Sequence, residues 1–124
     1  MLRDQFYSTI TQSSTDSRID ARIAFNAEHD IFRGHFPALP VVPGVCMIQI
    51  VREVMEVFTA APLSIVASDN IKFMSVIDPT KNMEVEVRID FAREIDGYHV
   101  NASIFSGSVT FFKIKAMLST AQWR

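Results

Sequence analysis

From Arg18 to Asn26 the chain reads RIDARIAFN, with Ile19, Ala21, Ile23 and Phe25 alternating with charged or small residues. That is the period of a half-buried strand. The same alternation runs unbroken through Met83, Val85, Val87, Ile89 and Phe91. It returns as Val109, Phe111, Lys113 and Lys115 set against Thr110, Phe112, Ile114 and Ala116. Shorter strand candidates are FYSTIT at Phe6 to Thr11, LSIVAS, NIKFMSVI and YHVNASIFS. Turn residues divide them: QSSTDS, Pro62, Asp78-Pro79-Thr80, Asp96-Gly97 and Ser106-Gly107-Ser108.

One stretch has a different period. After Gly44, VCMIQIVREVMEVFTA holds no glycine or proline and is apolar on several faces, which predicts a mostly buried helix of about four turns. Its polar residues Gln49, Arg52, Glu53 and Glu56 fall three and four apart, on one stripe. Two strands, a buried helix and a further run of strands make an α+β plan in which one antiparallel sheet wraps a central helix. With 124 residues and no repeat, low-complexity tract or linker, residues 1–124 are expected to form a single domain.

Composition narrows the function. A net charge of -2 with mixed signs offers no broad basic face, so nucleic acid is not expected as a partner. Cys46 is the only cysteine, which excludes an internal disulfide and fits a reducing compartment. No leader pattern and no uninterrupted apolar run of about 18 residues is present, so the expectation is a soluble, cytoplasmic protein without a membrane partner. Hydrophobic content of 48% and ten phenylalanines suggest apolar surface destined for a partner subunit or a greasy ligand.

The candidate chemistry lies in FRGHFPALPVVPGV, where Pro37, Pro40 and Pro43 recur every third residue. Such spacing favours a stiff, extended, polyproline-like segment. Its plain use is to deliver the chain into the helix. Its chemical use would be to hold His35 beside a helix start at Pro43-Gly44, where free N–H groups can point at an oxygen and glycine permits close approach. Cys46 reads as a small buried residue, and His29 and His99 as structural or surface histidines. No spacing of His, Cys, Asp and Glu suggests a metal site.

The same segment resembles the F-x-G-H-F-P-x-x-P-x-x-P-G-V signature of the FabZ/FabA-type 3-hydroxyacyl-[acyl-carrier-protein] dehydratases. NIKFMSVIDPT is similar to that family's lysine-phenylalanine strand and turn. The resemblance implies a hot-dog fold over 1–124, pairing into a homodimer with a continuous sheet and sites shared between subunits. It implies His35 as the base that removes a proton from C2 of an acyl thioester, and the Gly44 N–H as the group that polarises the thioester carbonyl. An imidazole and a helix N-terminus suit those roles. The substrate would ride on the phosphopantetheine of an acyl carrier protein or on coenzyme A, with no further cofactor. Phe36 and Phe73 correspond to positions near relatives' acyl tunnel, and Pro43 and Val45 flank Gly44, so these four are assigned to substrate binding.

In one respect the chain departs from the family. Position 49, where relatives carry the Glu or Asp that helps expel the hydroxyl, is Gln49, and the usual glutamine one turn on is Glu53. An amide binds a hydroxyl but cannot protonate it. Three outcomes follow: Glu53 substitutes from the next turn, His35 works alone with water, or the site binds acyl chains without dehydrating them. In its plain reading Glu53 is a solvated surface acid beside Arg52. The expected function is thus a FabZ-like dehydratase in fatty acid or related lipid or polyketide-like biosynthesis. The alternatives are a non-catalytic acyl-thioester-binding subunit and an acyl thioesterase.

Overall fold

The computed structural model describes residues 1–35 and 40–120, apart from the side chains of 33–35. Phe36, Pro37 and the first part of the proline segment lie outside the described residues. Two strands come first, β1 (Tyr7–Ser14) and β2 (Arg18–Phe25), followed by a short helix α1 (Asp30–His35) and the long helix α2 (Gly44–Thr59). Then come β3 (Ser64–Phe73), β4 (Glu84–Glu94), β5 (Gly97–Ser106) and β6 (Val109–Ser119). All pairings are antiparallel, in the order β1-β2-β4-β5-β6-β3. This six-stranded sheet wraps α2, the hot-dog arrangement.

Alternation decides which face of each strand is buried. Ile19, Ala21, Ile23 and Phe25 of β2, and Val85, Val87, Ile89 and Phe91 of β4, all turn inward. They meet Cys46, Met47, Ile50, Val51, Val54 and Met55 of α2. Burying a side chain of this size stabilises by about 1.5–3 kcal/mol. On the outer face a ladder of charges pins the β2–β4 register: Arg18 faces Asp90, Asp20 faces Arg88 and Arg22 faces Glu86. Arg18 Nε donates to Asp90 at 2.6 Å and Arg88 Nε to Asp20 at 2.8 Å. A one-residue slip would break the ladder and move the buried set to solvent.

The structure differs from the sequence expectations in several places. LSIVAS and NIKFMSVI are not two strands; β3 runs continuously from Ser64 to Phe73 across the polar Asp69-Asn70. Pairing with β6 carries it through, with register shifts at Ile65/Ala67 and Ser68/Asn70. β1 reaches Ser14, into residues expected to form a loop, because β2 pairs with it as far as Ile19. Met83 precedes β4 and is exposed. In β6 the alternation breaks, since Phe111 and Phe112 are both buried. A register shift against β5 at Ile104/Phe105 leaves Phe111 as an extra residue and turns it inward. Finally, the histidine closes a helical turn rather than an extended segment. Phe32 of α1 stacks on Phe6 with ring centres 4.8 Å apart, and His29 meets Phe6 edge-on at 5.4 Å, which docks that turn on the core.

Candidate active site

Pro43 is the N-cap of α2, with φ -64° and ψ 148°, and Gly44 is its first helical residue. Among the described residues no side chain caps this end. The first N–H groups of a helix have no intrahelical acceptor, so those of Gly44 and Val45 are available to an oxygen brought up to them. Two hydrogen bonds fix the surroundings. Val42 N–H donates to the Ile77 carbonyl at 2.9 Å, and Met74 N–H to the Phe111 carbonyl at 2.8 Å. Between them opens an apolar groove of about 590 Å³ lined by Val42, Pro43, Gly44, Met47, Phe73 and Val76.

Phe73 closes the floor of the groove. Its ring lies 5.2 Å from that of Phe112, and its Cε1 and Cζ come within 2.8 Å of where a β-carbon on Gly44 would be. A β-carbon at 44 would displace the ring, and glycine also leaves room for an approaching ligand. The structure thus brings Pro43, Gly44 and Phe73 together. Val45 stands outside the groove, 75% exposed. The backbone of His35 ends α1, while its side chain and Phe36 lie outside the description.

Gln49 and Glu53 form a second cluster, farther along α2. Glu53 is 0% exposed. It is not the solvated acid that its neighbour Arg52 suggested. Its Oε2 accepts from Leu2 N–H at 2.9 Å and from Gln49 Nε2 at 2.6 Å, and its Oε1 accepts from Arg3 N–H at 2.8 Å and from the Tyr7 hydroxyl at 3.1 Å. Burial pushes its carboxyl up, but the bonds from Leu2, Gln49, Arg3 and Tyr7 outweigh it and hold the pKa below the ordinary value. Beside this charge the Tyr7 hydroxyl is pushed far up, by burial first and by Glu53 second. The polar stripe of α2 is thus the dock for the N-terminal segment. Sequence reasoning had no signal for this, because two of the four donors are main-chain groups of Leu2 and Arg3.

The remaining candidates have structural duties. Cys46 is buried, and burial followed by the Glu53 charge pushes its thiol up, away from the reactive thiolate. His29 Nδ1 accepts from Ile31 N–H at 3.1 Å, and His99 lies 3.6 Å from Glu94 on the surface. A larger hollow of about 690 Å³, lined in part by Arg3, Arg52, Glu56 and Ala60, lies at the other end of α2, away from Gly44. No helix among the described residues is long and apolar enough to cross a membrane.

A six-stranded antiparallel sheet around one helix, with a glycine helix start opening on an apolar groove, defines the hot-dog class. The fold recurs in the dehydratase heterocomplex ApeI:P from Xenorhabdus doucetiae, with a TM-score of 0.72 and 20% identity over 90% of this chain and 96% of that one. It recurs also in a conserved protein of Pseudomonas aeruginosa, with a TM-score of 0.67 and 13% identity over 94% of this chain and 90% of that one. At such identities these neighbours establish the fold alone. The family profile ApeI-like, described as ApeI dehydratase, matches residues 11–108, and the chain belongs to this family of hot-dog dehydratases. It is also similar to the 3-hydroxyacyl-[acyl-carrier-protein] dehydratase FabZ of Rickettsia massiliae, at 33% identity over 87 residues, 64% of this chain and 56% of that protein. The Rickettsia bellii FabZ is 34% identical over 70 residues, 50% of this chain and 48% of its own length. The chain spans about half the length of these curated relatives.

Proposed function

We propose that the protein dehydrates 3-hydroxyacyl thioesters to trans-2-enoyl thioesters, in fatty acid or related lipid or polyketide-like biosynthesis. The observation that carries this reading is the uncapped helix start at Gly44, set in an apolar groove, in a chain whose family match spans residues 11–108. The acyl chain lies along Phe73 and Met47, and the thioester carbonyl meets the Gly44 N–H. His35 takes the C2 proton, and the enolate charge that develops on the carbonyl oxygen is stabilised by the helix terminus. The C3–O bond then breaks. Gln49 has no acidic proton to give, so the imidazolium of His35 returns its proton to the departing hydroxyl, which leaves as water.

The site is completed by a second copy of the chain. Nine of the ten residues of β3 are exposed, among them Ile65, Val66, Ile71 and Phe73, and β3 is an edge of the sheet. An apolar edge strand of this kind is a template for pairing. The substrate's carrier is an acyl carrier protein or coenzyme A. In support, Lys72 faces Lys113 across β3 and β6, with Lys115 beside Asn70 and Asn101. Like charges opposite one another are unfavourable unless an anion joins them, and both carriers bring phosphate.

The test is turnover of a 3-hydroxyacyl pantetheine thioester, followed as enoyl absorbance, with His35→Ala as its control. Product from the native protein and none from the variant is expected. Equal turnover by both, or a free acid as product, would reject the reading.

A further inference from the structure

The hollow at the far end of α2 is built differently from the groove at Gly44. Its walls are the N-terminal segment with Arg3, the last turns of α2 with Arg52 and Glu56, and the connection over residues 60–64. Each wall is fixed by main-chain hydrogen bonds. Leu2 and Arg3 donate their N–H groups to Glu53, Ala60 N–H donates to the Glu56 carbonyl at 2.8 Å, and Leu63 N–H donates to Glu56 Oε2 at 2.7 Å. That last bond engages Glu56, the residue one turn on from Arg52 that would ordinarily pair with it. Glu53 is engaged too, since its oxygens hold Leu2, Arg3, Tyr7 and Gln49. Among the described residues neither Arg3 nor Arg52 has an ion-pair partner, and Arg52 Nε is buried without an acceptor. A buried donor without an acceptor is costly, and a guanidinium offers five N–H groups in a fixed fork. The hollow therefore presents two unanswered guanidiniums beside an apolar wall.

We propose that this hollow is a second binding site, and that it takes a free carboxylic acid with an apolar tail, bound as its carboxylate. Arg52 and Arg3 grip the carboxylate, whose two oxygens match the guanidinium fork, and Val57, Ala60, Ala61 and Pro62 cover the tail. The charge balance selects a monoanion. Two arginines line the hollow together with Glu53 and Glu56, so no surplus of positive charge is present to hold a phosphate dianion. A volume of about 690 Å³ admits an acid of medium chain length. The site is separate from the reaction. The 16 residues of α2, at about 1.5 Å each, put its two ends about 24 Å apart, so a ligand in the hollow does not touch a thioester at Gly44. It joins Arg3 of the N-terminal segment to Arg52 of α2 instead, and so fastens the segment that docks on Glu53. Such a ligand acts as an effector that stabilises the folded chain, by binding it and not the unfolded one.

Calorimetry and amide chemical shifts of the native protein, with sodium octanoate, octanol and inorganic phosphate as probes, test this. Octanoate should move the amides of Ala61, Leu63 and Ser64 and raise the melting temperature. It should bind at least about tenfold more tightly than octanol, the range of a hydrogen bond to a charged group, and phosphate should bind more weakly than octanoate. Arg52→Gln should weaken octanoate at least about tenfold. Arg52→Lys, which keeps the charge without the fork, should weaken it severalfold. Arg3→Gln keeps the main-chain bond to Glu53, so the fold should stand while the affinity falls. Octanoate shifts confined to Gly44 and its neighbours, equal binding of octanol, or an unchanged affinity in Arg52→Gln would overturn the proposal. Phosphate bound more tightly than octanoate would overturn it as well, because the ligand would then not be a carboxylate with a tail. Should Arg52→Gln fail to fold, the probes on the native protein and the Arg3→Gln variant decide by the same outcomes.

Discussion

The ring of Phe73 fills the space that a side chain on Gly44 would need, with Cε1 and Cζ 2.8 Å from the position of the missing β-carbon. Gly44→Ala must push the ring aside, and the ring can yield because it is 55% exposed. The fold should therefore tolerate the change, and the groove should not. We expect kcat/KM for a 3-hydroxyacyl thioester to fall about a hundredfold, the effect of a misplacement of about 1 Å, while the melting temperature moves by only a few degrees. Adding Phe73→Leu to Gly44→Ala should recover part of the loss.

Glu53→Ala should destabilise strongly, by about 3 kcal/mol in urea denaturation, since it leaves Leu2 N–H, Arg3 N–H and the Tyr7 hydroxyl without their acceptor. Stability should also depend on Glu53 in a defined pH window. Its folded-state pKa lies below the ordinary 4.5, so its contribution is fully present above that pH and is lost as pH falls through the folded value. The stability gap between the native protein and Glu53→Gln should therefore narrow below pH 4.5, as followed by urea midpoints.

Gln49→Glu should raise dehydration by up to about 10²–10⁴-fold, the usual worth of a general acid. The new carboxyl would sit against Glu53, where Gln49 Nε2 now approaches to 2.6 Å, and two such groups cannot both ionise freely. The gain should be largest where the pair holds one proton and should vanish as pH rises and the pair loses it, a limb absent from the native pH–rate profile.

Reversing the charge of the outer-face cations, as Lys72→Glu with Lys113→Glu, should raise KM for a carrier-borne substrate severalfold and weaken its salt dependence. A short pantetheine thioester, which lacks the carrier's phosphate, should be turned over as before. Equal effects on both substrates would remove these lysines from carrier recognition.

Ile71→Glu places a charge on the edge strand β3, in a residue that is already exposed in the single chain. Light scattering should then report a monomer, against the dimer proposed for the native protein. Activity should fall with the dimer if a second copy completes the site as proposed.

Much of this fold was legible in the sequence. The Pro43-Gly44 start of α2 and the inward sets of β2 and β4 appear where the patterns put them, because caps and alternation are local properties. What was hidden depends on distant partners. Continuity of β3 through Asp69-Asn70 comes from pairing with β6, and the inward turn of Phe111 comes from a bulge against β5. Gly44 and Phe73, singled out by their motif positions, do meet beside one groove. The burial of Glu53 was not, because Leu2 and Arg3 hold it through main-chain N–H groups, which look alike in every sequence.

The place of β3 in the sheet also sets a timetable for the nascent chain. β1 with β2, and β4 with β5 and β6, join neighbours close in sequence, but the sheet partner of β3 is β6, which begins only at Val109. During synthesis β3 is therefore made early and paired late, with its main-chain groups unpaired along both edges in the interval. Long-range pairing of this kind is slow, and uncovered edges invite association between chains. Slower production at lower temperature should thus raise the yield of folded protein, by giving each chain time to close its own sheet before it meets another.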